Sequence, residues 1–177
     1  DRDDIGANLH APQLDDAGQP NWRYVLLAEM RPHDVVYHYD KTLSSITGRS
    51  VVSKEARHEE IVWAVRGSSA KLKGTKPYSC PGLVVDLEAR ELLVERLYLE
   101  QIRESADAIR DLVGRVQAKH GAPLYFPFEL STRRPARPLQ GYAFKLPQEF
   151  VAMFPQLSVG FVASLERRSA EHATEEV

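Results

Sequence analysis

A single cysteine, Cys80, in 177 residues removes two structural devices at once. No internal disulfide can form, and no zinc site built on paired cysteines is available. A lone thiol fits a reducing compartment. Long apolar runs are also missing. The runs at residues 24–28 and 35–37 are strand-sized, far short of the ~20 residues that a membrane-spanning helix needs. No charged segment followed by an apolar one opens the sequence, so a cytoplasmic protein with no membrane partner is expected. Phosphate-cradling loops of the GxxxxGK[ST] and GxGxxG kinds are absent, as is HExxH. The six histidines, His10, His33, His38, His58, His120 and His172, include no i, i+4 pair. No metal and no cofactor is therefore expected.

What is present is the composition of a folded domain, with 43% hydrophobic and 27% charged residues. The formal charge of -2 counts against a generally basic nucleic-acid binder, but distribution matters more than the sum. Between residues 41 and 76 the bases are Lys41, Arg49, Lys54, Arg57, Arg66, Lys71, Lys73 and Lys76, opposed only by Glu55, Glu59 and Glu60. Arg133, Arg134 and Arg137 form a second cluster with no acid between them. Acids gather at residues 1–4, 15–16, 86–104 and in the tail. One positive face is expected.

Residues 1–20 read as a polar arm, 21–165 as one domain and 166–177 as a polar tail. The segment 22–28 fits a strand or a short helix. Pro32-His33-Asp34 reads as a turn before a strand at 35–39, which a polar connection joins to a strand at 46–53. Within that second strand, Gly48 marks a bulge or a close approach. Further strands are expected at 60–65, 83–87, 123–130 and 141–146, with a loop at 131–140. Leu99, Ile102, Ala106, Ile109, Val113 and Val116 form one helical stripe for packing on a sheet. Ser105 can divide that helix, and Gly121 ends it. Pro147 opens a short helix through Phe154, and residues 158–165 fit either strand or helix. Short strands not separated regularly by crossover helices give an α+β class with a curled sheet or small barrel.

Catalytic readings have no strong member. Cys80 with His38 as base lacks an activating motif around the thiol, and a structural cysteine just before a strand accounts for it. Asp34 with His38, and Glu59 with Glu60, resemble acid–base pairs, but adjacent glutamates before an apolar run are more often a solvated edge. No catalytic residue is assigned, and whether a larger protein is an enzyme stays open.

Binding has more support. Trp22, Tyr24, Tyr37, Tyr39, Trp63 and Tyr78 concentrate aromatic residues in the first half. Tyr37 and Tyr39 share one face of a strand, with His38 on the other. Aromatic rings stack on bases while arginine and lysine hold phosphates. Asn21, Ser50, Ser68 and Ser69 offer polar groups for a base edge. The same aromatics also serve as core anchors of a small sheet, and the arginine cluster as a solvated loop.

Asn21-Trp22, then Met30-Arg31-Pro32-His33-Asp34-Val35-Val36-Tyr37-His38-Tyr39, then Ile46-Thr47-Gly48-Arg49-Ser50-Val51-Val52 resemble the EVE branch of the PUA-like superfamily, which is related to the YTH and SRA readers. That family has a tryptophan before a helix, a GD-x-V turn into an aromatic strand, and a next strand reading I-x-G-x-x-x-V. His33 stands where glycine is usual, and Asp34 and Val36 match. Residues 81–87 are similar to the following strand. The resemblance covers mainly residues 21–87. It implies a small β-barrel with flanking helices and a pocket for a modified base, in DNA rather than RNA by analogy with modification-dependent restriction, with a fused or associated nuclease. Placed on this sequence, the expected pocket holds Trp22, Tyr37, Tyr39 and Ser50, to which Trp63 is added from its own aromatic segment. Arg49, Arg66, Lys71, Lys73, Arg133, Arg134 and Arg137 are the expected phosphate contacts. An RNA-binding member of the superfamily and a non-catalytic interaction domain with aromatics in its core are the alternatives.

Overall fold

The apolar run after Pro81-Gly82 is one part of a much longer strand. A computed structural model describes residues 7–14, 18–20, 22–64 and 76–159. Its strands are β1 (Asn8–Pro12), β2 (Val35–Asp40), β3 (Ser45–Val52), β4 (Arg57–Trp63), β5 (Tyr78–Tyr98), β6 (Phe128–Glu129) and β7 (Arg137–Pro138). Its helices are α1 (Trp22–Glu29), α2 (Leu99–Glu104), α3 (Ala106–His120) and α4 (Gln148–Met153), with a 3-10 turn at Pro155–Leu157. The fold is α+β, as expected. Five strands form one sheet in the order β1-β5-β3-β2, with β4 also on β5, and β6 pairs with β7.

The chain groups into two interleaved units. The first takes residues 1–36, 49–90 and 141–143. In it β1 and β4 both run antiparallel to β5, Ala11 opposite Leu83 and His58 opposite the same Leu83. The leading segment, read from its polarity as an arm, thus contributes a strand. Strand alternation turns Leu83, Val85 and Leu87 inward to meet Ala11, Val52 and Leu27 of α1. Segment 22–28 resolves as helix, and Leu27 is its fully buried contact. Ile61 lies where a side chain at position 82 would be, since a Cβ on Gly82 would fall 2.5 Å from its Cδ1.

The second unit takes residues 37–48, 91–140 and 144–177. Its core gathers Leu93 and Leu97 of β5, Leu99, Ile102 and Ile109 of the helices, and Phe126, Phe128, Phe150 and Phe154. The helical stripe packs as expected: Ile102 and Ile109 are fully buried, with Ala106 and Val113 partly so. Burial of each isoleucine stabilises by about 1.5–3 kcal/mol. The stripe is split at Ser105, whose N–H donates to the Gln101 carbonyl at 3.1 Å and whose carbonyl accepts from Ile109 at 2.9 Å. Ser105 therefore joins two helices through its backbone rather than capping one by its hydroxyl. Gly121 ends α3 in the left-handed conformation, φ 64. Two expected strands shrink: 123–130 keeps only β6, and 141–146 has no strand. Proline at 123 and 127 removes ladder donors from the first.

Gly48 marks a close approach. A Cβ there would sit 2.7 Å from the Glu91 carbonyl oxygen, a backbone atom that cannot swing aside. Gly48→Ala is expected to lower unfolding stability by about 1–3 kcal/mol. Gly114→Ala, in open space on α3, is expected to raise it by about 0.5–1 kcal/mol. Urea denaturation of both variants checks the opposite signs.

Candidate functional site

Of the expected pocket residues, Tyr37, Tyr39, Ser50 and Trp63 have described side chains. Tyr37 and Tyr39 share a strand face, and that face is packed on the second unit's core. The Tyr37 hydroxyl donates to the Leu157 carbonyl at 3.3 Å. The Tyr39 ring meets Phe128 edge-on at 6.1 Å, and burial pushes its hydroxyl pKa up, against a smaller lowering by the hydrogen bond to Ser44. Both tyrosines are thus accounted for by packing. Ser50 and Arg49, on β3, are 0% and 2% exposed. Arg49 is thus enclosed, unlike the exposed Arg133, Arg134 and Arg137. The Trp22 side chain, with Asn21, Arg66, Ser68, Ser69, Lys71 and Lys73, lies outside the described residues.

Trp63 is the expected pocket residue that gathers others around it. Its indole meets Tyr24 at 5.5 Å, Tyr142 at 5.9 Å and His10 at 6.1 Å between ring centroids. Tyr24 and Tyr142 meet each other at 5.7 Å. The three contacts among Trp63, Tyr24 and Tyr142 have interplanar angles of 66°, 75° and 77°. These near-perpendicular rings meet edge to face, the arrangement their quadrupoles favour. Four different segments supply them: β1 gives His10, α1 Tyr24, β4 Trp63, and the segment after residue 140 Tyr142.

Polar bonds fix the rim of this cluster. The Tyr142 hydroxyl accepts the His10 backbone N–H at 3.1 Å, and the His10 ring shares a 3.1 Å hydrogen bond with Asn8 Oδ1. None of the rings is fully buried, and Tyr142 is 38% exposed. A surface of this kind offers π faces and edges, a hydroxyl and an imidazole to a flat ligand. Sequence reasoning included Tyr24 only among the aromatics and missed His10 and Tyr142. His10 and Tyr142 are 132 positions apart, and no local pattern links them.

The turn at residues 31–34 supplies a second feature. The Asp34 N–H donates to the Arg31 carbonyl at 3.0 Å, with proline at the second position and His33 at φ 74 in the third. Those are the marks of a type II turn, whose third position favours glycine. The Asp34 carboxylate closes the turn by accepting the Arg31 N–H at 2.8 Å. His33 and Asp34 then pair with Val52, at 2.8 and 2.9 Å. His33 thus holds a left-handed conformation at the position where the resembled motif has glycine.

The described phosphate candidates that remain lie in the second unit. Arg133, Arg134 and Arg137 are exposed, and Arg134 and Arg137 both reach Glu129. Cys80 is half-buried within β5. Burial, with Glu60 adding repulsion, pushes its thiol pKa up. That is the reverse of an activated nucleophile. Among the described residues no group of acids, histidines or cysteines is placed to hold a metal. None of the described helices is long and apolar enough to cross a membrane. No protein-family model and no curated protein matches the chain.

Four outcomes are expected. His33→Gly relieves a left-handed residue that costs about 1–2 kcal/mol but adds chain entropy of about 0.5–1 kcal/mol, so stability rises slightly. His33→Val, β-branched at positive φ, lowers it by about 1–3 kcal/mol; thermal unfolding reads both. Because a raised thiol pKa leaves less thiolate, Cys80 should alkylate more slowly at pH 8 than a free thiol. Glu60→Gln should quicken it.

Proposed function

We propose that this chain is a nucleic-acid-binding module that recognises a modified base, with no catalysis of its own. The half-exposed cluster of Trp63, Tyr24 and Tyr142 carries this reading. A sheet domain needs aromatics in its core, and the second unit has them there: Phe126, Phe128, Phe150 and Phe154. The first unit's cluster instead stops short of full burial, with a polar rim of His10 and the Tyr142 hydroxyl. Stacking supplies affinity for a base whatever its identity, and the rim supplies hydrogen bonding that discriminates among bases.

The left-handed turn at His33 supports the resemblance to the EVE-like branch, because it meets the backbone requirement that glycine answers in that motif. On that analogy the module is the specificity part of a bacterial, cytoplasmic modification-dependent restriction system, acting beside or fused to a nuclease, on DNA in preference to RNA. Trp63, expected in the base pocket together with Trp22, Tyr37, Tyr39 and Ser50, takes the stacking role.

Matched DNA and RNA oligonucleotides, plain or carrying 5-methyl-, 5-hydroxymethyl- or N6-methyl-substituted bases, test the reading at one fixed salt concentration. Binding to at least one modified DNA, tighter than to its plain counterpart, is expected. Trp63→Ala should weaken that binding by about 1–3 kcal/mol, the worth of one stacked base. Binding to neither polymer under any modification would contradict the proposal.

A further inference from the structure

Glu129 and Arg137 stand directly opposite each other in the β6–β7 pair, and Arg137 Nε donates to the carboxylate at 2.6 Å. Arg134 reaches the other oxygen of the same carboxylate, 3.6 Å away. A planar anion with two oxygens thus sits between two guanidinia, much as phosphate oxygens do in arginine sites. Residues 131–137 contain three arginines and no acid. Glu129 partly neutralises this loop from just outside it.

The loop's backbone is fixed by two arginines that belong to the helices. Arg103 Nε donates to the Ala136 carbonyl at 3.0 Å. Arg110 donates to the carbonyls of Leu130 at 3.1 Å and Ser131 at 3.4 Å. Both are balanced by acids on their own helices, Glu100 at 3.0 Å and Asp107 at 2.7 Å. They therefore contribute geometry more than net charge. Within the loop, Ser131 Oγ accepts the Arg133 N–H at 3.0 Å, and the Arg133 side chain is exposed. An open depression of about 520 Å³ runs along this junction, lined by Arg103, Arg110, Ser131, Thr132 and Arg134 together with acids of α2 and α3.

The geometry points to residues 131–137 as a phosphodiester-binding loop in which Glu129 is an internal competitor for Arg134 and Arg137. It rests on the nucleic-acid reading and deepens it by naming what grips the backbone and what limits the grip. Glu129 holds the two guanidinia, one at each carboxylate oxygen, when no phosphate is bound. A backbone phosphate then exchanges with the carboxylate, with no covalent step. Arg103 and Arg110 are positioning residues: they hold the loop without meeting the phosphate.

Glu129→Gln keeps the shape and removes the competing charge. In a salt titration with the tightest-binding oligonucleotide, it should bind about two- to fivefold tighter than wild type at low salt, the scale of an exposed ion pair. The slope of log K against log salt should steepen by about 0.9, one further phosphate engaged. A merely structural ion pair gives the reverse sign, because losing it loosens the loop. Arg110→Lys provides the second readout: it keeps the charge but loses the carbonyl bonds, so binding should weaken with little change in slope. Wild-type binding with no gain from Glu129→Gln, at an unchanged melting temperature, overturns the loop proposal alone. Absence of wild-type binding to any DNA or RNA overturns the functional reading and the loop proposal with it.

Discussion

Strand pairing along β5 is the constraint on which both units depend. From Tyr78 to Tyr98 the chain stays extended for 21 residues. In that length it pairs with β1, β3 and β4. Backbone donors and acceptors buried beside residues 82–84 are satisfied on both edges, by β1 on one and β4 on the other. The same strand supplies Leu83, Val85 and Leu87 to one core and Leu93 and Leu97 to the other. Between the two sets stands Ala89 at φ 57, a left-handed residue in the middle of a strand. An alanine in that conformation costs about 1–2 kcal/mol, which the pairing on either side must outweigh.

Much of this architecture is legible in the sequence, and the failures have identifiable physical causes. Strands β2, β3 and β4 fall near the expected positions because apolar and β-branched residues there lie between turn signals. The break at Ser105 and the stop at Gly121 follow from one polar residue inside a stripe and one glycine after it. The second half of β5 escaped because Glu88, Arg90, Glu91, Glu95 and Arg96 make it look like a solvated segment. Its inward positions, Leu93 and Leu97, are buried all the same. β1 escaped for a similar reason: Asn8 and His10 give it a polar look, and only its ladder to β5 marks it as strand. Long-range pairing decides such segments, and no local window contains it.

Legibility of the site is lower. The alternation of Tyr37 and Tyr39 correctly put both on one face, but periodicity does not say what that face meets, and it meets phenylalanines. Arg49 looked like one of a row of surface bases and is interior, since β3 is buried along nearly its whole length. Trp63 was chosen from its segment alone, and the rings around it come from three other segments of the chain. His33 is a different case: nothing local marks this non-glycine residue for the left-handed conformation, φ 74, that it holds in its turn.

On the proposed reading, the aromatic and polar groups around Trp63 would meet the base, and the arginines that contact Glu129 would meet phosphates. Trp63 is therefore the position that reports on the central claim. Its indole N–H resonance, assigned by comparison with Trp63→Phe, can be followed as a modified-base oligonucleotide is added. A saturable shift, larger with the modified strand than with its plain counterpart, is the predicted result. An unchanged resonance at saturating oligonucleotide would contradict the account.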